Sequence, residues 1–264
     1  MNKTIYIIIY FFSILNYCNL NSQTPNNGWN DITKYTKSID NITYIFPSSV
    51  NNITRNDRIN LCINAIKDNL AIINETSFKD SIIIEFLENR QQMLIYSGVG
   101  ASGMAMPDRK ALFALIDSPP IKHELMHMIT IFKWGYPHET SKWMNEGLAT
   151  YANGKCNGYS IEQIYAYLYE NIKLIPIDKL TGNFYNNPEM IAYHQSGFLA
   201  EFLLKNYGLE KFKALWKRGI VNFEEIYSFR FSDLTKTIEE NIKKNIRLHQ
   251  ILIGLNLKKD VIKN

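Results

Sequence analysis

Residues 118–154, SPPIKHELMHMITIFKWGYPHETSKWMNEGLATYANG, decide the fold. Ser118 offers a hydroxyl N-cap, and Pro119 and Pro120 suit a first helical turn, where no N–H is needed. The spacing predicts a helix from there to about Trp134, stopped at Gly135, and a second from Thr140 or Ser141 to Gly154. Upstream, Ser81–Leu87 is short, apolar and β-branched, which predicts a strand, and Gln91–Tyr96 reads as a second one. Gly98, Gly100 and Gly103 break the chain, and Ala105–Asp117 reads as extended segments around a turn at Pro107–Asp108. Further out, the apolar spacing of Asp57–Ile73 predicts an amphipathic helix, preceded by a loose lead-in with one strand near Tyr44–Phe46. Downstream the pattern is helical throughout: Ser160 to about Ile172, Pro188 to a stop at Gly208, Leu209–Arg218, and Asp233–Ile253 before Gly254. Strands confined to the first half and helices after them predict an α+β fold.

The chain has 264 residues, 46% of them hydrophobic and 20% charged, so it holds ample material for one core. Its net charge of +4 is spread along the chain with no basic stripe, which makes nucleic acid a poor default partner. Lys3, followed by the apolar run Thr4–Leu15 and then polar residues, has the pattern of a secretory signal peptide, with cleavage after Ser22. An uncleaved N-terminal anchor is the alternative. A lipoprotein reading through Cys18 is disfavoured, because Tyr17 stands where a small residue should precede it. The expected layout is therefore a signal peptide over 1–22, a lead-in over 23–50, one main domain over 51–256 and a tail over 257–264. Export makes a Cys62–Cys156 disulfide conceivable, with small buried residues as the alternative. In a eukaryotic host Asn41-Ile42-Thr43 and Asn52-Ile53-Thr54 would be glycosylation acceptors.

His123-Glu124-Leu125-Met126-His127 carries the chemistry. Histidines four apart share a helix face, so both imidazoles can reach one metal ion, while Glu124 is offset and can approach a metal-bound water. Leu125, Met126, Met128, Ile129 and Ile131 make the surroundings apolar, and buried imidazoles need partners. A catalytic zinc takes three protein ligands and keeps one position open. The histidine that a metzincin would place six residues after His127 is absent, since Lys133 stands there. Glu146, nineteen positions after His127 in Trp143-Met144-Asn145-Glu146-Gly147-Leu148-Ala149-Thr150-Tyr151, supplies an acidic residue instead.

In these two motifs and their spacing the sequence resembles the gluzincin metallopeptidases, in particular the aminopeptidase-N-like and peptidase MA-like branch. The resemblance implies a thermolysin-like zincin fold, one Zn2+ held by His123, His127 and Glu146, and a peptide or protein substrate. The strands before the active helix resemble a small sheet whose edge binds extended substrate, and Tyr193–Leu199 resembles the family's downstream helix. Three features depart from the pattern. Ser102–Pro107 has no glutamate to bind a substrate's free amine; Thr150 replaces an aspartate that would orient a zinc histidine; and the chain is far shorter than a full aminopeptidase.

The expected chemistry follows. Zinc would activate water, Glu124 would act as general base, and Tyr193 would steady the developing oxyanion, with His194 as runner-up. His138 reads as polar loop surface and His249 as solvated, while Trp143 and Asn145 read as packing and hydrogen-bonding residues of the second helix. Two functions compete: an exported zinc peptidase, or a catalytically silent zinc module that binds a protein or glycan. Retention of Glu124 favours the first.

Overall fold

The β-branched run Ile82–Leu87 forms the central strand of a five-stranded sheet, β3. The computed structural model describes residues 34–171, 174–234, 236–238 and 240. Upstream of β3 lie β1 (Lys34–Ile39), β2 (Ile42–Pro47) and the long helix α1 (Asn52–Ile72). Downstream come α2 (Arg90–Ser97), β4 (Gly103–Met106) and β5 (Ala111–Leu115). The sheet order is β1-β2-β3-β5-β4. β2, β3 and β5 are parallel, with Ile84 level with Tyr44 and Leu112, whereas β4 runs antiparallel to β5 at the edge. Tyr44, Ile84, Phe86 and Leu112 are buried at the centre, and Phe46 stacks on Phe86 at 4.8 Å.

The lead-in thus supplies two strands, not one, and α1 starts earlier than its apolar spacing suggested. Asn51 caps α1 by accepting a 2.9 Å hydrogen bond from the Thr54 N–H. The expected strand at Gln91–Tyr96 is instead helix α2. Asn89 caps its start by accepting from the Gln92 N–H, and Gly98 ends it in the left-handed region at φ 78°. These two end signals outweigh the β-like composition of three residues between them.

The site helix α3 spans Ile121–Trp134 and ends at Gly135 as expected. Its prolines, however, precede it rather than fill its first turn. A residue before proline is driven out of the α region, so Pro119 cannot be helical ahead of Pro120. Ser118 turns the chain at φ 49° instead of capping. Next come α4 (Lys142–Asn153), a short hairpin β6–β7 (Lys155–Cys156, Tyr159–Ser160) and α5 (Ile161–Asn171). The hairpin corrects the expectation that strands stop in the first half. Asn157 and Gly158 both take positive φ, 51° and 85°, which suits a tight two-residue turn. α5 opens on a reciprocal cap, Ser160 Oγ accepting from the Gln163 N–H and Gln163 Oε1 from the Ser160 N–H.

The remaining elements are α6 (Ile177–Gly182), which periodicity did not suggest, then α7 (Glu189–Tyr207), α8 (Leu209–Arg218) and α9 (Phe223–Tyr227). Residues 231–234, 236–238 and 240 are helical too. They belong to the expected 233–253 helix, whose remainder lies outside the described residues, as do His249, Cys18 and the N-terminal segment read as a signal peptide. The described part is α+β, a small mixed sheet followed by a mostly helical remainder. α4 and α7 approach closely because Gly147 meets the Ser196 backbone and Gly197 meets Thr150; a built Cβ would lie 2.5 Å from the Ser196 carbonyl oxygen and 2.9 Å from the Thr150 methyl. Cys62 and Cys156 are both free, Cys62 being buried on α1, so the two do not form the disulfide considered above. Among the described residues no helix is long and apolar enough to cross a membrane.

Candidate metal centre

α3 is buried on most sides, and it turns His123 and His127 towards α4 from successive turns. Glu146, in the middle of α4, meets them. His123 Nε2 and His127 Nε2 lie 3.1 Å apart, and Glu146 Oε2 lies 3.4 and 3.3 Å from them. A tetrahedral ion with ligand bonds of ~2.0–2.1 Å holds neighbouring ligands ~3.3–3.4 Å apart. Two imidazole nitrogens and one carboxylate oxygen at this spacing fit a zinc ion, with a side left for water or substrate. Among the described residues, these three form the one His/Cys/Asp/Glu group close enough to hold a metal.

Electrostatics support the same reading. Burial works against charge on His127, but the adjacent Glu146 carboxylate wins and raises the imidazole to about 9. Burial also opposes the Glu146 anion, yet the two imidazoles pull its carboxyl far below the usual range.

Two of the three candidate ligands, His127 and Glu146, have a hydrogen-bond partner behind them. His127 Nδ1 pairs with Asn145 Oδ1 at 2.9 Å, which commits Nδ1 as donor and leaves Nε2 free to ligate. Tyr185 Oη donates to Glu146 Oε1 at 3.1 Å, so the carboxylate's two oxygens are divided between the tyrosine and the two imidazoles. Glu124 stands outside the ligand group. Its Oε2 accepts a 2.9 Å hydrogen bond from the Ala105 N–H of edge strand β4. β4 comes this close because residue 103 is glycine: a Cβ there would lie 2.7 Å from Glu124 Cγ and 2.7 Å from Pro120 Cγ. The group opens into a cleft of about 1130 Å3, bounded by β4 and its flanking turns on one side and by Tyr185, Glu189 and Tyr193 on the other.

A family model described as the peptidase MA superfamily matches residues 78–239, more than half of the chain. The chain belongs to the peptidase MA superfamily. No curated protein matches it. The matched span of this peptidase MA domain runs from the approach to β3 to the described end of the helical half, and so contains all three metal-ligand candidates.

Tyr193 lines the cleft, its ring parallel to that of His123 with centroids 6.1 Å apart. Burial, then the Glu146 charge, raises its phenol well above the ordinary tyrosine value. His194, the runner-up, does not line the cleft. It is buried and bonds the Met190 carbonyl of its own helix through Nδ1 at 2.8 Å. Adjacent helical residues point about 100° apart, so only one of this pair can face the metal. His138 accepts from the Thr140 N–H at the turn before α4, away from the metal group. Trp143 is fully buried. Glu189 reaches the cleft from the first turn of α7. Thr150 packs against Gly197, and His127 Nδ1 takes its partner from Asn145 and not from position 150.

Sequence reasoning missed Tyr185 and the Ala105 amide. Tyr185 lies in the aromatic, asparagine-rich stretch Phe184–Asn187 with no motif around it, one of sixteen tyrosines. Every residue carries a backbone N–H, so nothing in composition marks the one at Ala105. The sole available signal was glycine at 103, which read as a turn.

Proposed function

We propose that this peptidase MA domain is a zinc-dependent metallopeptidase that cleaves peptide bonds with Glu124 as general base, and that it acts outside the cytoplasm after removal of residues 1–22. The observation that carries the reading is the meeting of three metal-ligand atoms with a separate carboxylate, Glu124, in one cleft. His123, His127 and Glu146 would hold the ion in a thermolysin-like zincin arrangement. When bound, zinc polarises the scissile carbonyl and lowers the pKa of water towards neutrality.

The chain's own residues do the rest. Glu124 takes the proton of the attacking water and returns it to the leaving amine. The Ala105 N–H fixes one carboxylate oxygen of Glu124, which leaves the other for that transfer. In the antiparallel pairing of β4 with β5, Ala105 turns its backbone N–H away from β5 and into the cleft; ladder geometry sends its carbonyl the same way. An extended peptide laid along β4 would find that acceptor, an edge-strand mode of recognition that reads backbone before side chain. The Tyr193 hydroxyl, kept protonated by burial and nearby negative charge, donates to the developing oxyanion.

The test is Glu124→Gln, which keeps size and hydrogen bonding and removes the base. Zinc content and folding should be unchanged, and turnover of a quenched peptide library should fall by about two to four orders of magnitude. Full activity in that variant would end the mechanism. Stoichiometric zinc in a wild-type protein that cleaves nothing would instead identify a silent zinc module that binds a protein or glycan partner. N-terminal sequencing of the mature protein tests export.

A further inference from the structure

We infer that Tyr185 is a positioning residue that holds Glu146 to one-oxygen ligation. The inference rests on the zinc reading above and adds a specific part to it. The Glu146 carboxylate is buried, and its two oxygens face different partners. Oε2 lies 3.3 and 3.4 Å from the two imidazole nitrogens, and Oε1 accepts from Tyr185 Oη at 3.1 Å. Without that hydroxyl, Oε1 would be left without this donor in a cleft wall, or would swing to the metal as an additional ligand. A buried acceptor left unpaired is costly. A fifth ligand would also fill the side on which water and substrate must enter.

The turn that carries Tyr185 is built to hold it there. Phe184–Asn186 is a single 3-10 turn, and the Asn187 side-chain amide stitches it by donating to the carbonyls of Lys179, Asn183 and Phe184 at 3.2, 2.8 and 3.1 Å. Phe184 is buried beneath it, edge-on to Tyr185 at 5.1 Å and within 5.6 Å of Tyr193. Tyr185 itself remains 60% exposed. Its ring therefore gains little from burial, and the hydroxyl contact stands out as its role. The two cleft tyrosines thus divide the work: Tyr185 serves the ligand, and Tyr193 serves the substrate.

The experiment compares wild type with Tyr185→Phe, and with Tyr167→Phe, an exposed tyrosine on α5 outside the cleft, as control. Metal is stripped with a chelator, and zinc affinity is measured by competition with a chromophoric chelator. Removing a partner that orients a ligand typically weakens metal binding by about 10–100-fold, and Tyr185→Phe should fall in that range while Tyr167→Phe matches wild type. Cobalt(II) substitution provides a readout that a merely structural role would leave alone. The visible bands of the wild type should have the intensity of a four-coordinate ion, and Tyr185→Phe should weaken them as a fifth ligand joins. Zinc affinity within twofold of wild type, or an unchanged cobalt spectrum, overturns the role of Tyr185. A wild-type protein that takes up no stoichiometric zinc overturns the metallopeptidase reading itself, a separate result.

Discussion

Gly103 offers a sharp test of how the edge strand and the base work together. Its φ lies outside the left-handed region, so alanine fits the backbone there, and the obstacle is purely one of space. An added Cβ would lie 2.7 Å from Glu124 Cγ, 2.7 Å from Pro120 Cγ and 2.9 Å from Glu124 Oε1. Ordinary carbon–carbon contact is about 3.5–4.0 Å, so strand or carboxylate must retreat by ~0.8 Å or more. Pro120 cannot rotate away, and Glu124 has the α3 backbone behind it. A retreat of that size stretches the 2.9 Å bond from the Ala105 N–H to Glu124 beyond hydrogen-bonding range. Gly103→Ala should therefore cost about 1–3 kcal/mol of stability through overpacking. Turnover should drop by about 10²-fold, the usual cost of moving a catalytic group by ~1 Å. Zinc content should stay stoichiometric, because none of the three ligands touches residue 103. Urea unfolding, metal analysis and cleavage of a quenched peptide library measure these in parallel. Turnover within threefold of wild type, with the variant folded, would refute the claim that β4 positions Glu124.

Four further expectations follow. Asn145→Ala removes the partner of His127 Nδ1 and should weaken zinc binding by about 10–100-fold in chelator competition while leaving the circular dichroism unchanged. Because apo His127 titrates at about 9, zinc must displace its proton at neutral pH; apparent zinc affinity should rise by about tenfold per pH unit from 7 towards 9 and then level off. Stability of the apo protein should run the other way: the folded-state pKa of His127 lies above its unfolded value, so this contribution is complete below about 6.5 and is lost as pH rises through about 9. With no glutamate in Gly103–Pro107, N-acetylated peptides should be cut as well as free ones; a strong preference for free N-termini would shift amine binding to Glu189 in the cleft wall.

What was legible in the sequence is what depends on local spacing. Two histidines four apart must share a helix face, and Gly135 and Gly154 stop their helices whatever else the chain does. The nineteen-residue step to Glu146 then matched a known arrangement, and the three ligand atoms do meet. The sequence therefore determined the α+β class, the two site helices and the three residues that meet as candidate metal ligands. Readings failed where end effects or longer-range packing outweighed composition. Gln91–Tyr96 looked β-like, but Asn89 and Gly98 made it a helix. Pro119-Pro120 looked like a first turn, but the first proline is barred from the α region by the second. Only the tertiary structure decided which groups stand behind the ligands. Tyr185 is thirty-nine residues from Glu146, and Ala105 is nineteen from Glu124, each on a different element from the group it bonds. Their contacts depend on how a 3-10 turn and an edge strand pack against α3 and α4. No periodicity encodes that distance, because side-chain pattern reports which face is buried and not which hydroxyl or amide lies across from it.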